Sequence, residues 1–87
     1  MPTIELFGNA RLIAGARSVS VTARTVGAAL YQLAQAHPEL VGSVLQDEGS
    51  LTAAYALNLN GTRFVQSSDE PLADADELLI ISSLSGG

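Results

Sequence analysis

Thr25-Val26-Gly27-Ala28-Ala29-Leu30-Tyr31-Gln32-Leu33-Ala34-Gln35-Ala36-His37-Pro38 is the longest stretch with a helical period in the chain. Val26, Ala29, Leu30, Leu33, Ala34 and His37 recur at the spacing that lays one apolar stripe along a helix, the pattern of a helix resting on a sheet. Thr25 stands where a hydroxyl accepts from a free amide of the first turn. Pro38 disfavours helical geometry at His37, so the helix is predicted from Thr25 to Ala36. Pro38 also opens a second short helix expected over Glu39 to Leu45, with Leu40, Val41, Val44 and Leu45 available to pack.

On the N-terminal side, Ile4 and Leu6 alternate with Glu5 and Phe7, and Val19 and Val21 share a face within Ser18 to Thr22. Period-2 alternation of this kind predicts half-buried strands. Gly8-Asn9 and Gly15-Ala16 punctuate the link between them, so the pair reads as a hairpin with a modest loop. On the C-terminal side, Gln46 to Ser50 is polar and predicts a loop, and Tyr55, Leu57 and Leu59 alternate again. Asn60-Gly61 then marks a tight hairpin, because a type I′ turn needs positive φ at both positions. Counting outward from it pairs Leu59 with Thr62, Asn58 with Arg63 and Leu57 with Phe64. Ser67 to Asp76 is a polar connection, and Glu77 to Ser82 is the last strand. Two strands, one main helix and three strands predict an α+β fold, a mixed sheet of about five strands with the helix across one face.

A single helix leaves the other face open. Leu78-Leu79-Ile80-Ile81 sends two side chains to each side. With Leu78 and Ile80 toward the helix, Leu79 and Ile81 lie on the open face. The same counting places Ile4, Leu6, Leu57, Leu59 and Phe64 inward, and Phe7 and Val65 outward. Phe7, Val65, Leu79 and Ile81 are therefore expected to form an apolar patch, and such a cluster marks a contact surface.

Composition narrows the function. The 87 residues suffice for one domain, and they include no cysteine and a single histidine, which leaves out a disulfide frame and a thiolate metal site. Nine acids against four arginines give a net charge of −5, and no lysine is present. Nucleic acid, which demands clustered cations, is a poor partner for such a chain. A basic groove on a larger protein suits it better. No apolar run approaches the length of a membrane span, and no signal peptide is evident, so a cytoplasmic protein is expected. His37 has no sequence neighbour to complete a triad and reads as a surface or capping residue. Asp74, Asp76 and Glu77 lack the ligand spacing of a calcium loop and read as solvated turn residues. Asn60-Gly61-Thr62 is a glycosylation sequon in form alone, and no nucleophile–base pair, phosphate loop or metal site emerges. Arg11 is equally suited to a partner salt bridge or to plain exposure.

The chain closes on Leu84-Ser85-Gly86-Gly87. Glycines clear every side chain from beside the terminal carboxylate, so an extended end of this kind fits a narrow channel. This ending, together with the strand-strand-helix-strand-strand order, resembles the ubiquitin-like β-grasp proteins, and among them the MoaD/ThiS sulfur carriers. Leu6-Phe7-Gly8-Asn9-Ala10-Arg11-Leu12-Ile13-Ala14-Gly15 is similar to the small subunits of molybdopterin synthase, MoaD. So is Pro71-Leu72-Ala73-Asp74-Ala75-Asp76-Glu77-Leu78, in which Ala75 replaces a usual glycine. Ser82-Ser83 replaces the proline pair common before the tail in that group.

The resemblance implies a β-grasp domain over residues 1–84 and a tail over 85–87. It implies that an adenylyltransferase resembling ubiquitin-activating enzymes, MoeB-like, joins the Gly87 carboxylate to AMP at the expense of ATP. A sulfur donor then leaves a terminal thiocarboxylate, with no cofactor bound to the carrier and no catalysis of its own. Leu84, Ser85 and Gly86 would occupy the partner's channel. Phe7, Arg11, Val65, Leu79 and Ile81 would meet the partner, a MoaE-like large subunit that passes the sulfur to a pyranopterin precursor. The alternatives are a carrier of the same fold for thiamin, cysteine or tRNA thiolation, and a ubiquitin-like modifier or interaction domain that makes no thiocarboxylate.

Overall fold

The computed structural model describes residues 1–83, so Leu84, Ser85, Gly86 and Gly87 lie outside the described residues. The strands are β1 (Thr3–Leu6), β2 (Ser18–Ser20), β3 (Tyr55–Leu59), β4 (Arg63–Val65) and β5 (Glu77–Ser82), and the helices are α1 (Gly8–Ala14) and α2 (Val26–Ala36). They build one five-stranded sheet in the order β2-β1-β5-β3-β4. β1 runs parallel to β5, with Ile4 opposite Leu78 and Leu6 opposite Ile80, and the other three pairings are antiparallel. The predicted mixed sheet with a main helix on one face is the observed fold.

The helix begins where its cap requires. Thr25 Oγ1 accepts from Ala28 N at 3.2 Å. Val26 N donates to Glu70 O and Gly27 N to Ser68 O, each at 2.9 Å, so the polar connection before β5 satisfies the amides that a first turn leaves without helical partners. Gly27 makes this approach possible, since a Cβ there would stand 3.0 Å from that of Ser68. The helix ends at Ala36, followed by Pro38 as predicted.

Val26, Ala29, Leu30 and Leu33 of α2 close over Ile4, Leu6, Leu57, Leu59, Leu78 and Ile80 of the sheet, and all are buried. Leu40, Val44 and Leu45 are fully buried beside them. The expected helix over Glu39 to Leu45 is not formed. A single 3-10 turn, Pro38–Leu40, stands there instead, and Gly42 follows at φ 105, a conformation a helix does not use. The apolar residues of that segment reach the core from irregular backbone.

Two further expectations are corrected. The link between β1 and β2 is not a plain loop but carries α1, which buries Ala10 and ends at Gly15 in the left-handed conformation. Seven residues hold too few apolar positions to display a helical period, which is why the sequence pattern missed it. The second correction concerns the β3–β4 hairpin. Asn60 (φ 58) and Gly61 (φ 73) form the expected turn, with Thr62 N donating to Leu59 O at 3.0 Å. Thr62, however, stays out of the ladder, and its hydroxyl also bonds Leu59 O. Leu59 therefore faces Arg63, Asn58 faces Phe64 and Leu57 faces Val65. One unpaired residue shifts the register, and a one-residue shift exchanges the faces of everything beyond it. Val65 is the core residue, 8% exposed, and Phe64 is 60% exposed.

The turn into β5 tolerates the alanine that replaces a usual glycine. Among the described residues, Asn60 is the only non-glycine at positive φ, so Ala75 carries no left-handed strain. The turn is held by its aspartate, because Ala73 N donates to Asp76 Oδ2 at 2.8 Å and Asp76 N donates to Ala73 O at 3.1 Å.

Candidate partner face and tail-bearing strand

The open face is set by the register. Glu5, Leu79, Asn58 and Phe64 stand side by side across β1, β5, β3 and β4, and Ile81 stands beside Ala56 in the next row along β5. Phe7 follows Leu6, whose neighbour on β5 is Ile80, so it comes out next to Ile81 at the end of the sheet where β5 finishes. Phe7, Leu79 and Ile81 are each half-buried. Of the four patch residues expected, Phe7, Leu79 and Ile81 share this face and Val65 does not. Phe64 occupies the place assigned to Val65.

Arg11 extends the face around the end of the sheet. Its Nε donates to Leu6 O at 2.9 Å, and its guanidinium carbon lies 5.4 Å from the centre of the Phe7 ring. An arginine over an aromatic face gains cation–π attraction while its outer nitrogens stay available. α1 supplies this placement, since a loop in its stead would not fix Arg11 over Phe7.

Within the row, the Asn58 side-chain oxygen is buried without a hydrogen-bond partner among the described residues. Asn58 is a second position that pattern reading passed over, because an asparagine in the outward phase of a strand looks like ordinary surface.

The remaining candidates serve the fold. Asn60 Nδ2 donates to Asp76 Oδ1 at 3.0 Å and Asn60 Oδ1 accepts from Glu77 N at 2.8 Å, which ties the hairpin turn to the start of β5. The Asn60 amide and then the Ala73 amide hold the Asp76 carboxyl below the usual carboxylate range. Arg63 forms a two-pronged ion pair with Glu70, which lowers the Glu70 carboxyl likewise. His37 is the C-cap of α2, as expected, with its backbone N–H donating to Leu33 O, and its Nδ1 lies 3.0 Å from Glu39 Oε2. No group of acids and histidine among the described residues converges as a metal site, and no described helix is long and apolar enough to cross a membrane.

A helix gripped by a five-stranded mixed sheet of this order defines the ubiquitin-like β-grasp fold. The chain belongs to the ThiS family, whose model matches residues 4–87. It is similar to SAMP1 of Haloferax volcanii, with 35% identity over 99% of this chain and 98% of that one and a TM-score of 0.83. It is also similar to the small archaeal modifier protein 1 of Methanosarcina acetivorans, with 26% identity, coverage of 99% and 95%, and a TM-score of 0.82. The BexX/CysO complex of Amycolatopsis orientalis contains a chain of the same fold, 21% identical over the full length of both, with a TM-score of 0.79. No curated protein matches the chain.

Proposed function

We infer that the chain is a cytoplasmic sulfur carrier whose reacting atom is the carboxyl carbon of Gly87. The observation that carries this reading is the family match, which runs through the Gly86-Gly87 end and not through the folded domain alone. An adenylyltransferase of the ubiquitin-activating kind is the first partner. The Gly87 carboxylate attacks the α-phosphate of ATP, pyrophosphate leaves, and the acyl adenylate so formed is a far better electrophile than the carboxylate. Hydrosulfide, a donor at the sulfide level, then attacks the acyl carbon, AMP leaves and a proton is lost to give the thiocarboxylate. The carrier supplies the open face, with Phe7, Leu79, Ile81, Phe64 and Arg11, as the surface that seats each partner so that the tail enters its channel.

The recipient favoured by the sequence motifs around Arg11 and Pro71 is a MoaE-like large subunit, which makes the chain the small subunit of a molybdopterin synthase. A second reading, a protein modifier joined to amines through Gly87, is favoured by the 35% identity to SAMP1.

Incubation with an activating enzyme, ATP and a sulfur source separates these readings by intact mass. The carrier gains about 16 Da by exchange of oxygen for sulfur at the tail. Deletion of Gly87 draws the carboxylate back by about 3.5 Å. A misplacement of about 1 Å already costs a reaction a hundredfold, so the truncated chain is expected to gain nothing. A truncated chain that still gains the mass overturns the assignment of the sulfur to Gly87.

A further inference from the structure

Asn58 and Asn60 stand two positions apart and use their amides differently. Asn60 engages both ends in the fold, its Nδ2 with Asp76 and its Oδ1 with the Glu77 amide. Asn58 engages neither. Its Oδ1 is buried without a partner, and its Nδ2 makes no hydrogen bond among the described residues while remaining accessible. This amide sits within the open-face row, with Leu79 on one side and Phe64 on the other.

The orientation of the Asn58 amide has a chemical reason. A buried N–H without an acceptor is rarer in proteins than an under-satisfied carbonyl, so oxygen inward and nitrogen outward is the less costly of the two orientations. The unpaired oxygen still costs the folded chain some stability, which a leucine of similar size in the same place avoids. With its oxygen covered, Asn58 offers an approaching surface its donors alone. Docking takes Nδ2 out of water. A partner that brings apolar atoms to this point leaves the donors unsatisfied, so the matching group is an acceptor. A net charge of −5, with Glu5 in the same row, disfavours a carboxylate there. The acceptor that fits is a neutral carbonyl oxygen.

We propose that Asn58 is a specificity-determining residue of the open face, and that its Nδ2 donates to a main-chain or amide carbonyl oxygen of the docked partner. The inference rests on the carrier reading above and names what the first partner, the activating adenylyltransferase, presents at this point. Phe7, Leu79, Ile81 and Phe64 supply apolar area, which many surfaces can match. The Asn58 amide selects among them, because a site built around one hydrogen bond rejects surfaces that lack its counterpart. Asn58 touches no reacting atom. It acts by deciding which surface seats the carrier.

The test measures ATP–pyrophosphate exchange by the ubiquitin-activating type of adenylyltransferase from the same organism, as a function of carrier concentration, together with urea unfolding of each full-length carrier. Asn58→Leu keeps the size of the side chain and adds apolar surface. Its KM is expected to rise about tenfold with kcat unchanged, and its urea midpoint to equal or exceed that of the parent. Asn58→Asp sets an acceptor against an acceptor and is expected to raise KM further. Docking through apolar area alone predicts the opposite for Asn58→Leu, a lower KM. An equal or lower KM for Asn58→Leu overturns the inference, and so does a lower urea midpoint, which would place the amide in the service of the fold. A parent chain that supports no exchange overturns the carrier reading and this inference with it, whereas an active parent with an unchanged Asn58→Leu variant overturns this inference alone.

Discussion

Leu78 and Leu79 are the same residue one position apart in one strand, and they lie in different environments. Leu78 is fully buried between β1 and β3 under α2, while Leu79 is half-exposed in the row between Glu5 and Asn58. Ile80 and Ile81 repeat the contrast. The two faces of the sheet thus share a composition in β5 and differ in what covers them. On one face, apolar side chains are consumed by the core. On the other, they remain available, and their value is realised only against another molecule. Composition alone does not say which face does which, because hydrophobicity is a property of the side chain and burial is a property of the neighbours.

The contrast breaks most sharply at Ile80 and Ile81. Ile80→Ser removes a core side chain and buries a hydroxyl, and is expected to cost about 3–5 kcal/mol, which unfolds most of a domain this small. Ile81→Ser is expected to stay below about 1.5 kcal/mol while weakening partner binding by about 1–3 kcal/mol. Urea unfolding of the two variants side by side decides it, and equal losses would mean that the faces are not distinct. Leu30→Ala tests the helix that creates the difference, with an expected loss of about 2–4 kcal/mol. A loss below about 0.5 kcal/mol would show that α2 does not close the core through this residue.

The hairpin gives a finer version. Val65→Ala is expected to cost about 1–2 kcal/mol and Phe64→Ala less than about 0.5 kcal/mol, although phenylalanine is the larger residue. The opposite ranking would restore the two-residue register and return Phe64 to the core.

The smallest effect is expected at the turn that aligns β5. The Asn60 and Ala73 amides lower the Asp76 carboxyl pKa in the folded chain. A carboxyl shifted this way contributes stability that is complete above its unfolded pKa of about 4 and is lost as pH falls through the folded value. Asp76→Asn is therefore expected to be less stable than the parent at pH 7, and the gap is expected to close below about pH 4. Urea midpoints measured across that window check the sign.

The sequence by itself determined the order of the five strands and the main helix, that helix's Thr25 cap and Pro38 stop, the limits of β5, the inward set Ile4, Leu6, Leu78 and Ile80, and the family. These follow from short-range facts: periodicity within one element, a hydroxyl three residues from an amide, a proline that cannot continue a helix. Tertiary structure alone decided the rest. Thr62 stepping out of the ladder exchanged Phe64 for Val65, because register beyond a turn depends on how the two strands meet and not on either strand's own pattern. α1 formed in seven residues of weak period because the core end beside Pro38–Leu40 accepts Ala10. The polar connection after β4 met the first turn of α2, a contact between residues about forty positions apart that no local pattern encodes.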